Sequence, residues 1–167
     1  MKRTVYFPEI FDMVGKAKTR KEKIAILQKY QDVKGFLDIL QLCYDPNIKW
    51  VVTRKDIEHI PYDAMDIPDY DLAPSTLFLL ARRQLKNYTN LRQPPLKMNK
   101  VLRCISSHFS SLHPDEVELF KQIVDGRIQE RGLTEKLVRS AFPGLLSDPP
   151  KKKRGRTKKK ETENATV

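Results

Sequence analysis

A chain of 167 residues is long enough for one domain with a real core, and its apolar fraction of 40% is somewhat low, in part because a polar C-terminal segment dilutes it. No apolar run approaches the roughly 18 residues of a membrane span, and the basic start Met1–Glu9 lacks an apolar signal core, so a membrane-embedded or secreted chain is not expected. The formal net charge of +11 points instead to a polyanionic partner, nucleic acid ahead of an acidic membrane surface. Residues 149–167 carry eight Lys or Arg against two Glu, so the rest of the chain keeps +5 of that total and is basic in its own right. Cys43 and Cys104 are far apart and form no Cys-x-x-Cys, which reads as two free thiols in a reducing compartment.

In chain order, Phe7–Gly15 reads as a short helix with Pro8 in its first turn and Gly15 as its stop. A basic loop, Lys16 to Lys21, leads into a capping box at Thr19 and Glu22, followed by a helix with Ile24, Leu27 and Tyr30. Asp32 is expected to cap a third helix, with Val33, Phe36, Leu37, Leu40, Cys43 and Tyr44 on one stripe and Asp45-Pro46-Asn47 as its end. Ile48–Thr53 fits a strand or a helical turn equally well. Residues 54–73, rich in Asp and interrupted by Pro61 and Pro68, read as a long irregular connection. Pro74 opens a helix with Leu77, Phe78, Ala81 and Leu85 inward and Arg82, Arg83 and Lys86 outward. Asn90–Met98 is a Pro-rich connection, and Asn99 is expected to cap a helix carrying Val101, Leu102, Ile105 and Phe109. Pro114 starts the next, with Asp115 and Glu116 in its first turn, where a helix dipole favours carboxylates. Its core side holds Val117, Phe120, Ile123, Val124 and Ile128.

The last folded stretch is Arg131 to Leu146. Gly132 suits a positive-φ turn and Thr134 an N-cap, Leu137, Val138, Ala141 and Phe142 share a face, and Pro143-Gly144 stops the helix. Lys136 and Arg139 are expected outside, beside a helix N-terminus suited to a phosphate. Beyond Pro149-Pro150 the run from Lys151 to Lys160 has nothing apolar to bury and is expected to be disordered when unbound. The fold expected is all-α: a single multi-helix domain over residues 1–148 of about seven or eight helices, with a basic tail at 149–167.

Motifs for chemistry are scarce. There is no phosphate-binding loop, no Gly-x-Ser-x-Gly and no His-Glu-x-x-His. Cys104, His108 and His113 are too few for a structural zinc site, so no metal, no cofactor and no enzymatic activity are expected. What stands out is basic residues in loops and at helix starts, where side chains and backbone N–H groups can both reach phosphates. They are Lys16, Lys18, Arg20 and Lys21; Arg92, Lys97 and Lys100, with Asn99; and Arg131, Lys136 and Arg139 around Gly132-Leu133-Thr134. The tail adds Lys151, Lys152, Lys153, Arg154 and Arg156.

Gly132-Leu133-Thr134, followed eleven residues after the glycine by Pro143-Gly144-Leu145 with Phe142 before it, resembles the signature that closes the N-terminal DNA-binding domain of ATP-dependent DNA ligases, especially the compact tailed-phage type. Thr19–Leu27 and Gly35–Pro46 are similar to that domain's early helices, and the order extends over nearly all of residues 7–150. Met98 stands where the family has a turn glycine, and the segment before Gly132 is one residue longer. The adenylation motif Lys-x-Asp-Gly does not occur, since Asp125-Gly126 is preceded by Ile123 at the lysine position.

The resemblance implies a grip on duplex DNA without ligation chemistry, with Gly132-Leu133-Thr134 as the point of closest approach. The expected function is therefore non-enzymatic, largely sequence-independent binding of double-stranded DNA, nicked or intact, by a monomer. Such a protein would serve replication, repair or transcription in the cytoplasm of a phage-infected bacterium. Pro149–Arg154 also fits a nuclear localisation signal. The alternative is an interaction module that docks on a replication or transcription enzyme, with the tail alone touching DNA. Replacing Gly132 by Val is expected to impair the approach while leaving the fold near intact.

Overall fold

The computed structural model describes residues 5–61, 73, 75–130 and 132–149. Among them are eight α-helices and one 3₁₀ turn, and the only β feature is an isolated antiparallel bridge between Trp50 and Thr89. None of these helices is long and apolar enough to cross a membrane.

The first two helices form where local chemistry directs. In α1 (Phe7–Lys16), Pro8 sits in the first turn and the Glu9 carboxylate accepts the Tyr6 amide at 2.9 Å. Gly15 does not stop this helix, which runs on to Lys16; it instead makes room for Glu130, whose carboxylate would collide with any Cβ there. α2 (Arg20–Lys29) starts at the expected capping box. Thr19 Oγ1 accepts the Glu22 amide at 3.2 Å, and the Glu22 carboxylate accepts the amides of Lys18 and Thr19 at 3.0 and 3.3 Å.

The third helix departs from expectation. Asp32 does not cap it. Residues 30–36 form turns closed by Val33 N–H to Tyr30 O and Phe36 N–H to Val33 O, each 3.0 Å, and Gly35 at φ +81° leads into α3 (Phe36–Tyr44). A glycine takes that left-handed conformation without the cost a Cβ brings. Val33 lies outside the helix. α3 is also wider in its burial than one stripe, because Ile39 and Leu42 are buried along with Phe36, Leu40, Cys43 and Tyr44. It packs against three other helices, α5, α7 and α8, and is the central rod of the domain.

Residue 54 begins a helix rather than an irregular segment. α4 (Arg54–Glu58) is capped by Thr53, with Oγ1 accepting the Asp56 amide at 3.3 Å and Asp56 accepting the Thr53 amide at 2.8 Å. Its one buried side chain, Ile57, holds it where it meets α6 and α7. The acidic positions from Asp63 to Asp71, and Pro74, lie outside the described residues. α5 (Leu77–Arg83) buries Leu77, Leu80 and Ala81 and passes into the 3₁₀ turn Leu85–Tyr88. Phe78 meets Phe7 edge-on at 4.7 Å between ring centroids. α6 (Met98–Phe109) and α7 (Pro114–Asp125) bury Phe109 and Phe120 in an edge-to-face pair at 5.4 Å. Such pairs contribute about 0.5–1.5 kcal/mol beyond their burial. α8 (Glu135–Ala141) buries Leu137, Val138 and Ala141, three of the four residues read as its apolar face; Phe142 is half-buried just past its end.

One first-turn carboxylate of α7 points inward. Glu116 is 1% exposed, one oxygen accepts the Leu77 amide at 2.6 Å, and the other has no partner among the described residues. It thereby satisfies the first free N–H of α5. Burial pushes its carboxyl up to about 7, against the pull of the Leu77 bond and with help from Asp115. Because the folded form binds this proton more tightly than the unfolded form, the stability it lends is complete below its ordinary value of 4.5 and is lost as pH rises to about 7. Chemical denaturation of the wild type and Glu116→Gln at a series of pH values should show the wild type losing about 3 kcal/mol relative to the variant between pH 4 and 8. Parallel stability curves would contradict this placement of the proton.

Candidate nucleic-acid interface

The turn between α7 and α8 is built from both ends. Gly126 closes α7, with its own N–H to Ile123 O and that of Arg127 to Gln122 O, both 3.1 Å. Gln122 Oε1 then accepts the Gln129 amide at 3.0 Å. Gly132 adopts φ +77°, as the sequence suggested, and Thr134 Oγ1 caps α8 by accepting the Leu137 amide at 3.3 Å. The middle is held from below by the central helix. The Tyr44 hydroxyl accepts the Ile128 amide and donates to the Leu133 carbonyl, each at 3.3 Å. Burial, and then the Cys43 thiol, push the Tyr44 phenol above its ordinary value, so it stays protonated and able to donate.

This construction corrects three expectations about the turn. Leu133 is buried, with its carbonyl taken by Tyr44, so it anchors the turn and offers no contact surface. Gly132 is exposed on one side only; a Cβ there would stand 2.9 Å from Cε of Lys23, whose ammonium is buried on the Val14 carbonyl at 2.7 Å. A Gly132→Val change therefore disturbs the fold as well as the surface. Finally, α8 has only seven residues, and Glu135 already occupies its first turn, so its N-terminus is not an open phosphate seat.

Arg139 is likewise not an outward side chain. It is clamped to Glu135 Oε1 at 2.8 and 3.0 Å and reaches the carbonyls of Ser147 at 2.8 Å and Leu146 at 3.5 Å. Ser147 in turn donates its amide and hydroxyl to Asp45, both at 2.9 Å, and Asp45 also accepts the Asn47 amide at 2.9 Å. Burial raises the Asp45 carboxyl, but the Ser147 and Asn47 bonds together with the Arg139 charge outweigh it and hold it below its ordinary range.

Two hydrogen-bonded connections join the basic segments. Arg20 at the start of α2 bonds the Ser140 hydroxyl, and Gln28 donates to the Ala141 carbonyl at 3.0 Å, so α2 packs on the end of α8. Gly15 beside Glu130 and Lys23 beside Gly132 bring the flanks of the 16–21 loop to the Gly132 turn. On the other side, Asn47 donates to the Asp148 carbonyl and Asn90 to the Asn47 carbonyl, both at 2.8 Å, which attaches the start of the 90–100 loop to the C-terminal segment. Lys49 is fixed to Asn90 through its amide at 2.9 Å.

Lys18, Lys21, Arg92, Lys97, Lys100 and Lys136 are exposed and form no ion pair among the described residues. Lys16 is exposed but pairs with Asp12 at 2.8 Å, whose hydrogen bond and charge raise its pKa. Asn99 is exposed in the first turn of α6 without capping it; the N-cap is Lys97, and no side chain bonds there. Arg131, Lys151, Lys152, Lys153, Arg154 and Arg156 lie outside the described residues, as does the expected tail beyond Pro149. Exposed Lys49, Arg103 and Arg127 were not singled out by the sequence. Arg103 follows Lys100 by three on one helix, a spacing that places both on neighbouring surface.

Glu9 and Asp12 of α1, Asp115 and Glu118 of α7, and Glu130 line a common cleft, and Glu130 also lines the depression beside Gly132 and Thr134. Burial and then Asp12 raise the Glu130 carboxyl, with Lys16 and Lys23 opposing.

Compared with known proteins, the chain matches no family model, no curated protein and no solved structure.

Tyr44→Phe strips two buried backbone groups of their partner and should cost about 1–3 kcal/mol in urea denaturation. Gly132→Ala, strained by its φ and crowding Lys23, should cost at least about 1 kcal/mol. Lys136→Ala, on an exposed site, should fall within about 0.5 kcal/mol of wild type; a Tyr44→Phe protein as stable as that control would refute the role given to the hydroxyl.

Proposed function

We propose that this domain grips double-stranded DNA largely independently of sequence, as a non-enzymatic accessory in replication, repair or transcription. The observation that carries the reading is a set of exposed cations, without carboxylate partners among the described residues, at loops and helix starts: Lys18 and Lys21, Lys136 on α8, and Arg92, Lys97 and Lys100. Five carboxylates line a separate cleft between α1 and α7. Arg20 on Ser140 draws the first two of these basic groups together. Loops and helix starts can follow a phosphate backbone across a minor groove, and contacts of this kind position a protein without reading bases. The resemblance of Gly132–Leu145 to the ligase DNA-binding domain adds to this reading.

The tail fits the same reading. The Asp148 carbonyl is tied to Asn47, and Asn47 to Asn90, so residue 148 lies next to the start of the 90–100 loop. Eight further cations follow in the sequence between Lys151 and Lys160. They add affinity by counterion release and speed capture.

With six to eight charges engaged, log K for a labelled duplex should fall with log salt at a slope of about −5 to −7 in fluorescence polarisation. A nearly flat slope defeats the proposal. Deleting residues 151–167 should weaken binding and reduce the slope while leaving binding measurable. Complete loss would instead favour an interaction module whose tail alone touches DNA. Lys21→Ala and Lys136→Ala should each lower the slope by about 1 without sequence preference.

A further inference from the structure

A second feature lies where the 3₁₀ turn meets α6. There an open cleft of about 540 Å³ is lined by Gln84 and Tyr88 on one side and by Lys100, Arg103, Cys104, Ser107 and His108 on the other. The α6 residues form the surface rows next to its core row of Val101, Ile105 and Phe109. The lining holds two cations and no carboxylate. Lys100 and Arg103 are exposed and make no ion pair among the described residues. The floor is stiffened by the Tyr88 hydroxyl, 2.6 Å from Nε2 of His108. Burial lowers the pKa of that imidazole and raises that of the phenol, so both groups of the pair favour their neutral forms.

We propose that this cleft is a phosphate site, in which Arg103 supplies a two-pronged guanidinium, Lys100 a point charge, and Gln84 and Ser107 neutral donors, and that its occupant is a backbone phosphate of the bound duplex. A tetrahedral oxyanion with several free oxygens uses such a mixed set of donors more fully than a carboxylate does. The cleft adjoins the exposed 92–100 loop through Lys100, so a strand that follows that loop reaches Arg103 one turn further along α6. The identity of the polymer rests on the duplex-binding reading; the preference for phosphate does not.

Cys104 lines the cleft and supplies the reporter, because the only other thiol, Cys43, is buried and pushed up to about 12 by that burial. The full chain is alkylated with iodoacetamide, and the rate at Cys104 is read by mass spectrometry. One sample contains duplex DNA, one inorganic phosphate, and one chloride of equal ionic strength. Duplex binding is followed in parallel by polarisation.

With duplex about tenfold above its Kd, alkylation should slow about tenfold, since only the free fraction reacts. Phosphate should also slow it, and chloride should not. Replacing both Lys100 and Arg103 by Ala should abolish protection by phosphate and reduce the salt slope for duplex by about 2. If duplex binds but neither it nor phosphate changes the Cys104 rate, the phosphate site is overturned and the duplex-binding reading stands. If phosphate protects while duplex does not bind, the cleft is a small-anion site, and it is the duplex-binding reading that falls.

Discussion

A single phenol hydroxyl in the middle of the domain holds the turn between α7 and α8 in place. Tyr44 ends the central helix, and its oxygen ties the chain leaving α7 to the chain entering α8. Without it, a buried amide and a buried carbonyl would stand unpaired, an arrangement that folded proteins rarely tolerate. The turn therefore inherits the rigidity of the core. Gly132 and Thr134 can hold fixed positions on the surface because Ile128 before them and Leu133 between them are buried and bonded to a helix that packs against three others.

The same logic divides the cations into two kinds. Lys23 and Arg139 have their hydrogen-bonding groups spent inside the molecule, one on the end of α1 and the other on the segment after α8. They organise the surface through bonds to the backbone. Lys18, Lys21 and Lys136 stand in water without an ion pair among the described residues, and these carry the charge a polyanion would meet. Asp45 belongs with the first kind. Its carboxylate, kept ionised by two amides, a hydroxyl and a nearby guanidinium, fastens the segment after α8 to the end of the central helix.

Where a structural role depends on neighbours in the chain, the residues announced it. The Thr19 box, the Pro114 start, the positive φ at Gly132 and the Thr134 cap all arise from contacts within four residues. Roles set by distant partners were not visible. Arg139 and Lys136 are three apart on the same short helix and look alike in sequence; only the arrival of Leu146 and Ser147 draws one inward. Glu116 reads as a first-turn acid and becomes a buried cap because α5 ends its approach there. Asp32 lost to Gly35 because the chain needed a left-handed step before Phe36 could enter the core. Of the candidate interface, the basic positions were legible, while the cleft containing Arg103 was not, since one side of it comes from Gln84 and Tyr88, fifteen or more positions before Arg103 in the chain.

Two glycines carry a consequence for how this surface can vary among related sequences. Gly15 faces the carboxylate of Glu130, which must swing aside for any Cβ there, and Gly132 faces the stem of Lys23 at a positive φ that itself disfavours a side chain. Positions 15 and 130, and positions 132 and 23, are thus neighbours in space. A larger residue at position 15 displaces the Glu130 carboxylate, and one at position 132 presses on the lysine that holds the end of α1. In related chains these four positions should drift as two linked couples, while the exposed lysines between them exchange freely with arginine. Such a pattern of substitution would mark the face of the molecule even where the overall sequence had diverged beyond recognition.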